Sequence, residues 1–179
     1  LSGTKSTFTG SQVLMSRPLS VYESICTKQN IVMKHNENSV EIEGKLQNGV
    51  FEIPGNISSQ FVTGLLFVLP LLNGDSQIIL TDSIESKPYI DMTLQVQAEF
   101  GISSCWLNEN TLQIPGNQKY KAINATVEGD YSNAAFFESF NTLGGNVEIS
   151  GFAPKTEGNW AEKGGIPNEY KLFSGEGYS

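Results

Sequence analysis

Apolar and polar residues divide the chain into short segments of two different periods. Thr7-Phe8-Thr9 reads as a strand ended by Gly10. Arg17-Pro18 predicts a helix start with proline in the first position, and Leu19, Tyr22, Ile25 and Cys26 then recur at helical spacing to about Lys28. Residues 31–35 and 40–43 read as strands, the second alternating cleanly. Asn48-Gly49 marks a turn, and residues 50–53 resume a strand up to Pro54. Ser58 to about Leu72 is predicted to be the main helix, apolar almost all round and therefore buried between other elements. Gly74-Asp75 breaks it, and residues 77–80 form a strand.

Residues 90–100 give two answers. Ile90, Met92, Leu94, Val96, Ala98 and Phe100 alternate with polar residues, which by period alone is a strand. Met, Leu, Gln, Ala and Glu are good helix formers, Pro88 suits a first turn and Gly101 suits a C-cap, so a helix is predicted. Residues 104–107 and 111–114 make a hairpin around Asn108-Glu109-Asn110, closed by Pro115-Gly116. The order over residues 50–115 is strand, helix, strand, helix, strand, strand, an α/β (α+β) pattern. Residues 125–127, 132–143 and 147–149 repeat strand, helix, strand, and residues 153–179 read as an irregular tail with little periodicity.

Composition narrows the function. With 179 residues, 39% of them hydrophobic and 17% charged, the chain suits one domain or one and a part. No stretch reaches the length of a membrane helix: the apolar run from Phe61 to Leu72 is short and interrupted by Thr63-Gly64 and Pro70. The first residues lack the apolar region of a secretory signal. The two cysteines, Cys26 and Cys105, have no ligand-spaced neighbours and are expected to be buried, reduced thiols of a cytosolic protein. His35 is the only histidine, so neither a His-based triad nor a multi-His metal site can be assembled, and a surface turn is expected for it. A net charge of −8 argues against a general nucleic-acid surface but not against a small anion held by a few placed cations, of which Arg17, the only arginine, is the first candidate.

One stretch carries distinctive chemistry. Gly55-Asn56 forms a turn followed by Ser58, Ser59 and Gln60, and then the apolar run begins. Serine at a helix start bonds the first-turn amides, and such a turn offers unpaired N–H donors to a phosphate or carboxylate.

The full string Gly55-Asn56-Ile57-Ser58-Ser59-Gln60-Phe61, followed by Ser86-Lys87-Pro88-Tyr89-Ile90-Asp91, resembles the enolpyruvylshikimate phosphate synthase (3-phosphoshikimate 1-carboxyvinyltransferase) family. Phe8-Thr9-Gly10 with Arg17-Pro18 upstream, and the segment from Val127-Glu128-Gly129-Asp130 to Phe137 downstream, match further family motifs in the right order. The resemblance covers about residues 1–152 and implies the partial fold of an enolpyruvyl transferase: βαβαββ units of an inside-out barrel. It implies that residues 1–126 are the later part of the first domain and 127–152 the start of the second, past the interdomain crossover, with 153–179 unassigned.

The implied activity is transfer of the carboxyvinyl group of phosphoenolpyruvate to shikimate 3-phosphate, without metal or cofactor, by a cytoplasmic and usually monomeric enzyme of the shikimate pathway. Ser58, Ser59 and Ser86 would hold the 3-phosphate, Tyr89 the shikimate ring, Gln60 both substrates, and Arg17 phosphoenolpyruvate. Lys87 and Asp91 would be structural, Asp91 pairing within the first helical turn, and Asp130 a hinge residue or an N-cap. The family's glycine-rich loop over phosphoenolpyruvate and its second-domain acid and base are absent from these residues, so no catalytic residue is assigned and the chain reads as a fragment. Two other readings remain open: a non-catalytic structural fragment, and a relative of the UDP-amino-sugar enolpyruvyl transferase, whose catalytic cysteine loop neither Cys26 nor Cys105 matches.

Overall fold

The computed structural model describes residues 3–84, 87–125, 127 and 131–150, with backbone only at 131 and 132. Strand β1 (Ser6–Thr9) is followed by a one-turn helix α1 (Gln12–Met15), helix α2 (Ser20–Lys28) and strands β2 (Val32–His35) and β3 (Ser39–Glu43). Then come β4 (Val50–Ile53), α3 (Ser59–Val68) with a 3-10 turn at Leu69–Leu71, β5 (Ser76–Leu80), α4 (Lys87–Glu99), β6 (Cys105–Trp106), β7 (Thr111–Ile114) and α5 (Tyr131–Thr142). The strands form two sheets, an antiparallel β1-β3-β2 and a four-stranded β4-β5-β7-β6.

The second sheet sets the frame for the candidate site. β4 and β5 are parallel, Val50 opposite Gln77 through Ile53 opposite Leu80, with α3 as the crossover between them. β7 then pairs antiparallel with β5, and β6 with β7. One face is apolar: Phe51, Ile53, Ile78, Leu80, Leu112 and Ile114 are buried there against Val62, Leu65, Leu66 and Leu69 of the α3 segment, Ile90 of α4, and Ile25 and Cys26 of α2. Each such side chain contributes roughly 1.5–3 kcal/mol of transfer free energy. The other face is mixed, with Glu52, Gln77, Thr111 and Gln113 beside Val50 and Ile79, and Gln77 Nε2 donates across the ladder to Gln113 Oε1 at 2.8 Å.

Several helix ends follow from single residues. Gly101, read as a C-cap, takes φ +81 after α4, and the Ile102 N–H reaches back to the Gln97 carbonyl (2.9 Å) in a Schellman arrangement. Asn30 does the same for α2 at φ 54, with the Ile31 N–H on the Cys26 carbonyl at 2.8 Å.

The structure departs from expectation at several places. Arg17-Pro18 does not begin α2: the Arg17 N–H turns back to the Leu14 carbonyl to close α1, and the first carbonyl of α2 to accept a helical bond is that of Leu19. α1 itself, capped by Ser11 Oγ on the Leu14 N–H, is too short to show a period. The α3 segment is not buried all round, since Phe67 and Leu71 are each 48% exposed. Cys105 is exposed while Cys26 is buried, and both are free thiols. His35 lies on β2, its Nε2–H donating to the Met15 carbonyl at 2.8 Å.

The expected strands near 125–127 and 147–149 do not form among the described residues. A strand needs a partner's ladder, and at Val147 the Asn141 side chain replaces one. Its Nδ2 donates to the Val147 carbonyl and its Oδ1 accepts the Val147 N–H, each at 2.8 Å. Residues 153–179 lie outside the described residues.

Burial raises the Tyr22 phenol above its usual value of 10.0, and burial followed by the Glu23 carboxylate raises the Cys26 thiol above 9.0. The unfolded chain therefore releases these protons at lower pH than the folded chain does. Stability is full below the unfolded values and is lost as pH rises from about 9, and then from about 10, through the raised folded values. Tyr22→Phe is expected to flatten the later part of that alkaline decline. The check is a set of urea melts from pH 7 to 11, and an unchanged profile rejects the assignment to Tyr22.

Candidate functional site

The site is assembled at the carboxyl ends of the parallel strands β4 and β5, the edge where open α/β sheets place their ligands. β4 runs out through Pro54-Gly55-Asn56 into α3, and β5 runs out through residues 81–86 into α4. The two exits are in contact. A Cβ on Gly55 would lie 2.7 Å from the Asp82 carbonyl oxygen and 3.0 Å from that of Ser83, so only glycine lets the two turns meet. The Thr81 N–H donates to the Ile53 carbonyl at 3.0 Å, and Thr63 and Thr93 share a 3.1 Å hydroxyl bond between α3 and α4. The β4 and β5 exits that lead to α3 and α4 thereby adjoin, and each helix N-terminus brings a positive dipole end.

At the start of α3, Ser58 is the N-cap: its Oγ accepts the Gln60 N–H at 3.3 Å, which leaves its own O–H to donate elsewhere. Ser58 and Gln60 are exposed and Ser59 is half-buried. The Ser59 amide has no acceptor among the described residues. The serine pair thus faces solvent as a set of donors, open to an anion. Tyr89 lies in the first turn of α4 and is 39% exposed, while Ser86, the residue before α4, falls outside the described residues.

The helix that follows Arg17 is held against α3 by packing. The Tyr22 ring stacks edge-on against Phe61 in the first turn of α3, centroids 4.9 Å apart, and its hydroxyl end fills the space above Gly64. The first turn of α2, which the Arg17-Pro18 link enters, is thereby held beside the first turns of α3. Arg17 is exposed and, among the described residues, forms no ion pair. No described bond joins it to Ser58, Ser59 or Gln60. Asp91 does pair within its helical turn, with Lys87 Nζ 3.0 Å from both carboxylate oxygens. Trp106, which the sequence did not single out, adds an indole N–H to Asp91 Oδ1 at 2.6 Å. Asp130 lies outside the described residues, as does most of the motif around it. The described residues contain no cluster of three or more His, Cys, Asp or Glu side chains able to hold a metal, and no helix long and apolar enough to cross a membrane.

A parallel crossover carrying a serine-capped helix, followed by a second helix and a hairpin, is the βαβαββ unit of the inside-out α/β fold of the enolpyruvyl transferases. An EPSP synthase from Acinetobacter baumannii superposes with a TM-score of 0.60 at 21% identity, over 76% of this chain and 30% of that one. The family profile of EPSP synthase (3-phosphoshikimate 1-carboxyvinyltransferase) matches residues 1–160, and the chain belongs to that family. The match continues past Phe152, where the motif resemblance was expected to stop. Among curated relatives, the 3-phosphoshikimate 1-carboxyvinyltransferase of Brachyspira hyodysenteriae is 43% identical over 149 residues, covering 83% of this chain and 36% of its own length. That of Clostridium perfringens is 47% identical over 145 residues, covering 80% and 34%. The chain spans about a third of the length of these relatives.

Proposed function

We propose that this chain carries the shikimate 3-phosphate half-site of the carboxyvinyl transfer, in which phosphoenolpyruvate gives up its phosphate and its carboxyvinyl group joins the 5-hydroxyl of shikimate 3-phosphate. The observation that supports this reading is the meeting of the Gly55 turn with the Asp82–Ser83 backbone, which brings into contact the two strand exits that lead to the motif segments. Ser58 and Ser59 donate to the 3-phosphate from the start of α3, Ser86 adds a second hydroxyl before α4, and Tyr89 packs on the ring. Gln60 reaches between the substrates, and Arg17 binds the carboxylate or phosphate of phosphoenolpyruvate. Charge-assisted bonds of this kind are worth roughly 1.5–3 kcal/mol each. Residues 1–126 then belong to the first domain and 127–152 to the start of the second. The setting is cytoplasmic, and the ligands are small anions and not nucleic acid.

The general acid and base of the reaction fall outside these residues, so the isolated chain is expected to release no phosphate from phosphoenolpyruvate in a coupled assay. It is expected to bind shikimate 3-phosphate weakly and saturably, with amide shifts at Ser58 and Ser59. Ser58→Ala should weaken that binding about tenfold, as loss of one charge-assisted bond predicts. Turnover at rates typical of enzymes, or no binding by calorimetry and NMR at millimolar ligand, rejects the reading.

A further inference from the structure

We infer that Trp106 and Asp91 are positioning residues for the ligand-facing turn of α4. The inference rests on the half-site reading above.

Three contacts converge on the Asp91 carboxylate and Lys87. Lys87 Nζ lies 3.0 Å from both Asp91 oxygens. The Trp106 indole N–H donates to Asp91 Oδ1 at 2.6 Å. The Lys87 ammonium also stands 4.2 Å above the centre of the Trp106 ring. An exposed lysine–carboxylate pair four residues apart holds little on its own, and this one is partly exposed at both partners. The indole changes that. Trp106 sits on the short strand β6, paired with Leu112 of β7, and Leu112 is wholly buried in the core. The hairpin is therefore a rigid mount, and through Trp106 it grips residues 87 and 91 together. Tyr89 lies between those two positions, and Ser86 precedes them directly. A clamp at this place sets the turn that presents Tyr89 to the ligand before it arrives, which is how preorganisation raises affinity.

The test is a double-mutant cycle on the full chain with Trp106→Phe, Asp91→Ala and the pair, read by two measurements. Amide hydrogen exchange at residues 89–91 is expected to speed up in each single variant, while the amides of α3 and β5 keep their protection. Shikimate 3-phosphate affinity is expected to fall about fivefold in each single variant and no further in the double variant, since one shared contact is lost. Additive losses, or exchange rising across the whole sheet, mark a general destabilisation and overturn the inference. So does wild-type affinity in Trp106→Phe. If the wild-type chain binds no shikimate 3-phosphate, the half-site reading itself has failed and this inference falls with it. That outcome differs from a binding wild type with an indifferent Trp106.

Discussion

Gln97→Ala is expected to lower the unfolding free energy by about 3 kcal/mol, through an unsatisfied carbonyl and a small void. The cause begins with Pro70. In α3 the Leu66 carbonyl would take its bond from the amide of residue 70, and proline has none. The orphan is met from the neighbouring helix: Gln97 Nε2 donates to the Leu66 carbonyl at 2.6 Å and to the Tyr120 hydroxyl at 2.8 Å. Tyr120 in turn donates to the Phe67 carbonyl at 3.1 Å. Gln97 is 1% exposed, so no solvent can stand in for the lost amide. Its Oε1 has no partner of its own, which already lowers the net worth of the side chain. Gln97→Met separates the two contributions: it fills the space without donating, and should recover only the void part of the loss. Tyr120→Phe, acting on a more exposed bond, should cost about 1 kcal/mol. Urea denaturation with an unchanged slope measures all three. A loss below about 0.5 kcal/mol in Gln97→Ala, the scale of an ordinary surface change, removes this account of how α3 ends.

The same residue explains why α4 was hard to read. Its core positions are Ile90, Thr93 and Gln97, at helical spacing, but two of the three are polar. Both bond to α3, Thr93 through Thr63 and Gln97 Nε2 through the Leu66 carbonyl, so their burial is invisible to any reading that equates core with apolar. What remained in view was a false alternation from Ile90 to Phe100. Capping and propensity corrected it because Gly101 and the leucine, methionine and glutamine content report on the backbone and not on the neighbours.

The βαβαββ order was legible because β4, β5 and β7 bury alternate residues and their turns carry Gly, Pro and Asn. The strands near 125–127 and 147–149 were not, because a strand is a property of two segments and only one was in hand. Val147 is apolar and β-prone, yet Asn141 takes both its backbone groups. For the site, Ser58, Ser59, Gln60 and Tyr89 were found as motif members, and the contact that brings their two segments together lies in the shape of Gly55. Trp106 was missed. Nothing in a sequence places an indole against a carboxylate fifteen positions earlier.

Gly55→Ala is expected to abolish detectable shikimate 3-phosphate binding while leaving the chain folded. At this position the obstacle is rigid: the added Cβ meets the Asp82 and Ser83 carbonyls, at 2.7 and 3.0 Å, and not the flexible end of a side chain. The β4 and β5 exits must move apart, at a cost of roughly 1–3 kcal/mol for overpacking. The core under β4 and β5 is large enough to survive that. On the half-site reading ligand binding has no such reserve, because donors from two helix starts reach the same phosphate, and a displacement of about 1 Å takes such bonds out of range. Ser58→Ala is the natural comparison, since it removes one donor and leaves the two turns in contact. If the half-site depends on both helices, Gly55→Ala is the more damaging change for binding although it deletes no ligand-facing atom. If the two variants bind equally well, α3 alone holds the phosphate and the meeting of the two turns is only a packing feature. The measurement is calorimetric titration of both variants, with a circular dichroism melt to confirm that Gly55→Ala remains folded at the titration temperature.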